Sequence, residues 1–488
     1  MTSLRSAAAR RWIALVVLCV GQLMIVLDAT VVNVALPSIQ HSLHADQASL
    51  AWVINGYLIS FGGLLLLAGR LGDLLGRRRL FLTGVAIFTV ASALCGLAPT
   101  EGLLTAARFV QGVGAAVVSS MVLGILVTLF KSREQTARAM SIYAFVASAG
   151  GSIGLLVGGV LTQALSWHWI FFINLPIGIA AFVFGTVLIP EHRGAGIRGG
   201  VDVWGAMLIT AAPALAVYAI LEASANGWTS VRTLGMAAVT AALIAVFIFV
   251  ESRAQHPLIP LRFFRSRNVA GAVLVRSLLP VGMFGSFFLG ALYLQRVLGY
   301  SPVGAGLAFM PMNICVALVS LLVTARVVQR FGAKATLIPG LVLMTTGLLL
   351  LGVAPVNAVY AVSVLPALLV MGVGAGLVFM PSVLLAMSGV SSSDSGLASG
   401  VANVAIQMGA AVGVAVLASI SAADTTGLLS RGASVNVALT AGYHLGFAVA
   451  AGCVAAAAIT GAIVLRSARP AARVQAQEVA LRNVDLAA

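Results

Sequence analysis

Leu27-Asp28-Ala29-Thr30-Val31-Val32-Asn33-Val34-Ala35-Leu36-Pro37 places a carboxylate inside the first long apolar run of the chain, which starts near Trp12. A helix rises ~1.5 Å per residue, so a segment from Trp12 to Pro37 exceeds the ~20 residues that cross a bilayer. Asp28 then sits in hydrocarbon, about two-thirds of the way across from the N-terminal side. An Asp at the centre of such a helix costs roughly 2.5 to 3.5 kcal/mol on insertion scales, so it is retained where it faces a polar cavity and does work. The plainer alternative is a carboxylate satisfied by neighbouring helices for packing alone.

Working outward, the 488 residues are 60% hydrophobic and 8% charged, with a mean hydropathy of +1.08. That composition excludes a soluble fold and implies an all-α polytopic membrane protein. A net charge of +15 and a pI near 10.9 would suit nucleic acid, but the basic residues lie between apolar runs and alternate by side. Fourteen spans are predicted, near residues 12–36, 49–68, 80–98, 102–124, 138–162, 168–189, 203–222, 233–251, 268–295, 303–325, 336–354, 358–381, 396–420 and 441–465. With the N-terminus inside, 23 of the 28 Lys and Arg fall on the cytoplasmic side. Arg232, Arg296 and Arg431 fall outside, and Arg108 and Arg276 fall within spans. This asymmetry places both termini in the cytoplasm. The scarcity of Lys beside abundant Ala, Gly and Val suggests a high-GC bacterial genome, and hence a plasma-membrane location. Cys19, Cys95, Cys315 and Cys453 lie in or beside apolar runs with no paired spacing, and read as small hydrophobes. His41, His44 and Asp46 read as a short outer loop.

Spans two and three are joined by Gly69-Arg70-Leu71-Gly72-Asp73-Leu74-Leu75-Gly76-Arg77-Arg78-Arg79-Leu80. A topogenic arginine cluster explains the basic residues but not Asp73 or the spacing of Gly69, Asp73 and Gly76. The stretch resembles the G-x-L-x-D-x-x-G-R-R/K-x-L signature of the major facilitator superfamily, whose Asp is implicated as a cytoplasmic latch; Leu74 stands where the family carries a basic residue. Leu27 to Pro37 resembles the L-D-x-T-V-V-N-V-A-L-P signature of the fourteen-span drug/proton antiporter branch. The resemblance implies a gate motif of Gly69, Asp73, Gly76, Arg77 and Arg78.

Span four holds Arg108-Phe109-Val110-Gln111-Gly112, at a depth comparable to Asp28 when counted from the outer ends of the two helices. A nearby cation favours the charged carboxylate and desolvation favours the neutral one, so small movements can tip a proton on or off. The stretch is similar to the family's R-x-x-Q-G motif, in which the Arg is implicated in proton transfer; a static buried ion pair is the alternative. Span five carries Gly150, Gly151, Gly154, Gly158 and Gly159, a small-residue groove for close helix approach. It resembles the antiporter signature G-x-x-x-G-P-x-x-G-G with Leu155 in place of Pro. His168, between Trp167 and Trp169, reads as an interfacial anchor rather than a proton relay. Glu222 ends span seven as either an end-cap or a second proton-coupling carboxylate, and Arg276 is close enough to the cytoplasmic end of span nine to snorkel.

An internal repeat carries the architecture. Arg70, Gly76, Gly84, Gly96, Ala98 and Pro99 recur at an offset of 256 as Arg326, Gly332, Gly340, Gly352, Ala354 and Pro355, and Gly150 and Gly154 recur as Gly409 and Gly413. This predicts a cytoplasmic N-terminus (1–11), two related six-helix bundles (12–190 and 268–465), two inserted helices with their loops (191–267) and a cytoplasmic tail (466–488). Proton coupling is expected in the first bundle through Asp28 and Arg108, with Glu222 a further candidate. Asn33, Gln111, Gln295, Asn313, Asn403 and Gln407 are the candidates for a substrate cavity. The chain lacks a Gly-Lys dipeptide, so it has no phosphate-binding loop for ATP. The expectation is no enzyme, metal, cofactor or nucleic acid, but a monomer in the lipid bilayer that exports a hydrophobic drug or natural product, with a cation favoured by Asp28, in exchange for protons. A proton-linked importer or facilitator of a small metabolite on the same fold, or a non-transporting membrane sensor, stays open.

Overall fold

Helix boundaries follow local chemistry. Thr100 accepts from the Leu103 amide (3.3 Å) to start α4 (Glu101–Leu129), and Ser132 from Gln135 (3.3 Å) to start α5 (Arg133–Ala164). Between α2 (Gln47–Leu75) and α3 (Arg77–Gly96) stands one residue, Gly76, with φ 101°. No L side chain adopts that backbone without strain. The repeat reproduces the device, since Gly332, with φ 91°, separates α12 (Ala325–Phe331) from α13 (Ala333–Leu351).

The computed structural model describes residues 2–45, 47–130, 132–191, 202–254, 257–259, 261–388 and 395–466. Asp46, Lys131, Arg193, Arg198 and the tail after Arg466 lie outside them. The remaining helices are α1 (Thr2–Leu43), α6 (Trp169–Phe172), α7 (Asn174–Leu188), α8 (Val203–Asn226), α9 (Val231–Arg253), α10 (Arg267–Leu292), α11 (Pro302–Leu318), α14 (Leu365–Met387), α15 (Ser395–Ser430) and α16 (Val435–Val464). Among the described residues thirteen helical stretches are long and apolar enough to cross a membrane. The 32-residue α5, with an apolar part at Ile153–Ala164, lies beside them.

The first helix is longer than predicted. It runs through Pro37 to Leu43, so His41 is helical rather than in a loop. α15 likewise continues past residue 420 to Ser430. Apolarity marks where lipid contact ends, whereas hydrogen bonding continues a helix into the interface.

Helices α1 to α7 pack on one another, and α10 to α16 repeat the arrangement. α1 lies on α5 as α10 lies on α15, and α3 on α4 as α13 on α14. Backbone contacts preserve the register: a Cβ on Gly114 would meet the Phe88 amide at 2.6 Å, and one on Gly374 the Met344 amide at 2.7 Å. Arg78 donates to the Thr186 carbonyl near the end of α7, and Lys334, at its repeat position, donates to Ala462 and Leu465 (2.7 Å each) at the end of α16. α8 packs on α2 and α15, one helix from each half, and α9 covers α8 with most of its own surface left open to lipid.

Candidate functional site

The site begins with how closely α4 approaches its neighbours. Gly112 faces the Tyr57 carbonyl of α2, where a Cβ would stand 2.4 Å from oxygen, and Gly114 faces α3. These contacts hold Arg108 and Gln111 between α1, α2 and α3. Asp28 is fully buried and Arg108 only 1% exposed. The Arg108 Nη1 donates to Asp28 Oδ2, and to Gln111 Oε1 at 2.8 Å, while its Nε donates to the Val53 carbonyl at 3.0 Å. Gln111 Nε2 donates to Asp28 Oδ1 at 2.7 Å, and Asn174 Nδ2 donates to the same oxygen at 3.1 Å. Ser92 Oγ accepts from both amides (3.1 and 3.0 Å) and donates to the Phe171 carbonyl at 2.8 Å. The guanidinium lies over the Tyr57 ring, 4.3 Å from its centroid.

Both charges are thus removed from water and matched by polar partners from α1, α2, α3, α4 and α7. A buried pair of this kind holds while both charges exist and becomes costly when one is lost. Protonation of Asp28 is such a loss, and Arg108 would keep Val53, Gln111 and the Tyr57 ring.

Of the six substrate-cavity candidates, Asn403 lines a cavity between the halves, and the other five are not among the residues of its wall. Gln111 belongs to the ion-pair network instead, because its amide bridges Asp28 and Ser92. Asn33 turns back to its own helix, donating to the Ala29 carbonyl at 3.2 Å. Gln295 ties the halves together, donating to Val34 O at 2.9 Å. Asn313 Nδ2 and Gln407 Oε1 are buried without hydrogen-bond partners among the described residues. Glu222 is not brought to Asp28: it pairs with Arg232 (3.4 Å) and accepts from the Tyr218 hydroxyl (3.2 Å) near the end of α8. Arg276 does not snorkel. It is 5% exposed and donates to Ala402 O (3.3 Å), Ser382 Oγ (2.9 Å) and Asn403 Oδ1 (3.4 Å), because α14 and α15 close over it. His168 stacks on Trp167 at 3.8 Å, and burial lowers its pKa below the ordinary 6.5. Sequence reading missed Ser92 as a member of the network and gave Asn174 no role; a Ser and an Asn in apolar helices carried the signal.

The cavity, about 960 Å³, lies between the halves at the end that carries Arg70 to Arg79. Leu66 and Asp73 of α2, Ser120 of α4, Glu251 of α9 and Gly400 of α15 form part of its wall. In the gate motif, Gly69, Asp73 and Arg77 face it, Asp73 pairs with Arg77 at 2.9 Å, and Arg77 Nη1 donates to Gly124 O at 2.7 Å. At the other end the halves touch. Val303 N donates to Gln163 Oε1 at 3.4 Å, and Gly159 and Gly306 admit backbone at separations too close for a side chain. Gly150, Gly154 and Gly158 of the same helix seat α1. The structure is open toward the basic end and closed at the opposite one.

The family model described as Major Facilitator Superfamily matches residues 18–414. The chain belongs to the major facilitator superfamily. Among similar members of this superfamily is the puromycin resistance protein pur8 of Streptomyces alboniger, 37% identical over 443 residues, covering 90% of this chain and 88% of that protein. The cephamycin export protein CmcT of Amycolatopsis lactamdurans is 36% identical over 417 residues, covering 85% and 86%. Among solved structures, a bacterial homologue of the human lysosomal transporter Spinster, inward-facing and occupied, superposes with a TM-score of 0.66 at 13% identity over 93% of this chain and 96% of that one. That likeness supports the superfamily fold. The chain is a multi-pass membrane transporter of small molecules.

Proposed function

We infer that this transporter exports hydrophobic drugs or natural products across a bacterial plasma membrane in exchange for protons, acting as a monomer without a cofactor. Related resistance and export proteins, similar over most of their length, support the substrate class and the direction. The observation that carries the coupling is Asp28, fully buried within the first half and held by one guanidinium and two amides. A proton reaching Asp28 cancels its charge, releases Arg108 from it and weakens the tie between α1, α4 and α7. Rearrangement of those helices changes which end of the cavity is open. The positive-inside distribution makes the basic end cytoplasmic, so the open cavity is the one that collects substrate from inside. Glu222 has no part in this scheme, because its pairing with Arg232 removes it from the network.

Energised inside-out vesicles carrying wild type or Asp28→Asn, supplied externally with a panel of hydrophobic dyes and antibiotics, test the reading. Proton-dependent accumulation by wild type that is lost in Asp28→Asn is the expected result. Undiminished accumulation in Asp28→Asn overturns the role of Asp28, and absence of accumulation for every compound, with correctly inserted protein, overturns export.

A further inference from the structure

The two inserted helices hold a pair of acidic groups that the transport scheme leaves unused. Asp202 caps α8, its Oδ1 accepting from the Gly205 amide at 2.7 Å. Glu251, 3% exposed, lies in the last turn of α9, and its Oε2 accepts from the Ile259 amide at 3.2 Å. The other oxygen of each carboxyl, Asp202 Oδ2 and Glu251 Oε1, is buried without a hydrogen-bond partner among the described residues. A Cβ placed on Gly205 would stand 2.6 Å from the first and 2.8 Å from the second, so both oxygens border the space that glycine leaves empty.

Two carboxylates whose buried oxygens border one small space repel strongly, and the ordinary solution is one proton held between them. An unpaired buried acceptor carries a desolvation cost that a shared O–H···O bond removes on both sides at once. We propose that Asp202 and Glu251 form a proton-binding site, one carboxylic acid donating to the other carboxylate, at the joint between α8, α9 and the segment leading to α10. Glu251 lines the cavity between the halves, so the bound proton sits at the cavity wall at the basic end. The charged groups on the other walls are Arg70, Asp73, Arg77 and Arg262, of which Asp73 is paired with Arg77. Loss of the proton puts two negative charges behind Ile259 and drives the two helix ends apart, loosening the connection into the second half. The site therefore couples proton occupancy at the cavity mouth to that half independently of Asp28. It rests on neither the direction of transport nor the substrate class.

Infrared difference spectra between neutral and alkaline pH, on purified protein in lipid nanodiscs, test it directly. Wild type is expected to lose a protonated-carboxyl C=O band on alkalinisation, and that component is expected to be missing from both Asp202→Asn and Glu251→Gln. Bands from Asp28 remain in all three proteins and cancel between them. Asn still caps Gly205, so Asp202→Asn carries the test alone if Glu251→Gln fails to fold. A C=O band unchanged in Asp202→Asn overturns the proposal, as does absence of the band from wild type or a stoichiometric metal ion lost on either substitution.

Discussion

Substituting the two members of the buried ion pair singly and together separates a working proton site from a static strut. Arg108→Gln leaves Asp28 fully buried without its cation, with the Gln111 and Asn174 amides as the donors that remain. Breaking a buried pair this way costs roughly 3–5 kcal/mol. Asp28→Asn leaves Arg108 with Val53 O, Gln111 Oε1 and the Tyr57 ring at 4.3 Å. A desolvated cation over an aromatic face is stabilised by up to about 2 kcal/mol, so this single variant falls at or below the low end of that range. The double variant Asp28→Asn/Arg108→Gln contains only neutral amides in a network rich in donors and acceptors. It is expected to be more stable than Arg108→Gln alone, with a coupling of at least ~2 kcal/mol. Unfolding free energies in mixed detergent micelles, read beside proton-driven uptake into inside-out vesicles, provide both quantities. Stability is expected to return in the double variant while proton-coupled transport does not. Losses that add within about 0.5 kcal/mol would show that the two residues do not interact. A double variant that still transports with proton coupling would refute the role of the pair in the cycle.

Gly76→Ala, at φ 101°, is expected to lower stability by about 1 kcal/mol or more, whereas Gly69→Ala, whose Cβ would have nothing nearer than Ser120 Cβ at 3.9 Å, is expected to hold or raise it; thermal melts of the two variants in detergent check the contrast. Gln295→Leu removes the 2.9 Å bond to Val34 O at the closed end, a neutral contact of about 0.5–1.5 kcal/mol, so the population open at that end should rise roughly twofold to tenfold by spin-label distance measurements. Burial lowers the pKa of His168 below the ordinary 6.5, so the folded state binds fewer protons there than the unfolded state and stability is lost as pH falls through 6.5. His168→Gln is therefore expected to leave the transport profile unchanged above that pH and to reduce acid sensitivity of stability below it, which pH-dependent melts measure.

Membrane residence and the all-helical fold were legible in the sequence, because lipid imposes a length and a polarity on every crossing segment. Asp28 and Arg108 stood out for the same reason, since a charge in an apolar run has no neighbours to hide among. Side-chain partnership was not legible. Gln111 and Gln295 looked alike as polar residues in apolar helices, yet one completes a buried ion-pair network and the other ties the halves at the closed end. Arg276 lay close enough to a helix end to snorkel, and only the packing of α14 and α15 over it decided otherwise. Asp202 and Glu251, 49 positions apart in the chain, border one space because α8 packs on α9 and a glycine leaves room there. A sequence determines which segments must enter lipid, since that depends on each segment's own transfer energy. Which polar atoms meet inside depends on how helices distant in sequence rotate and approach, and the tertiary structure alone decides that.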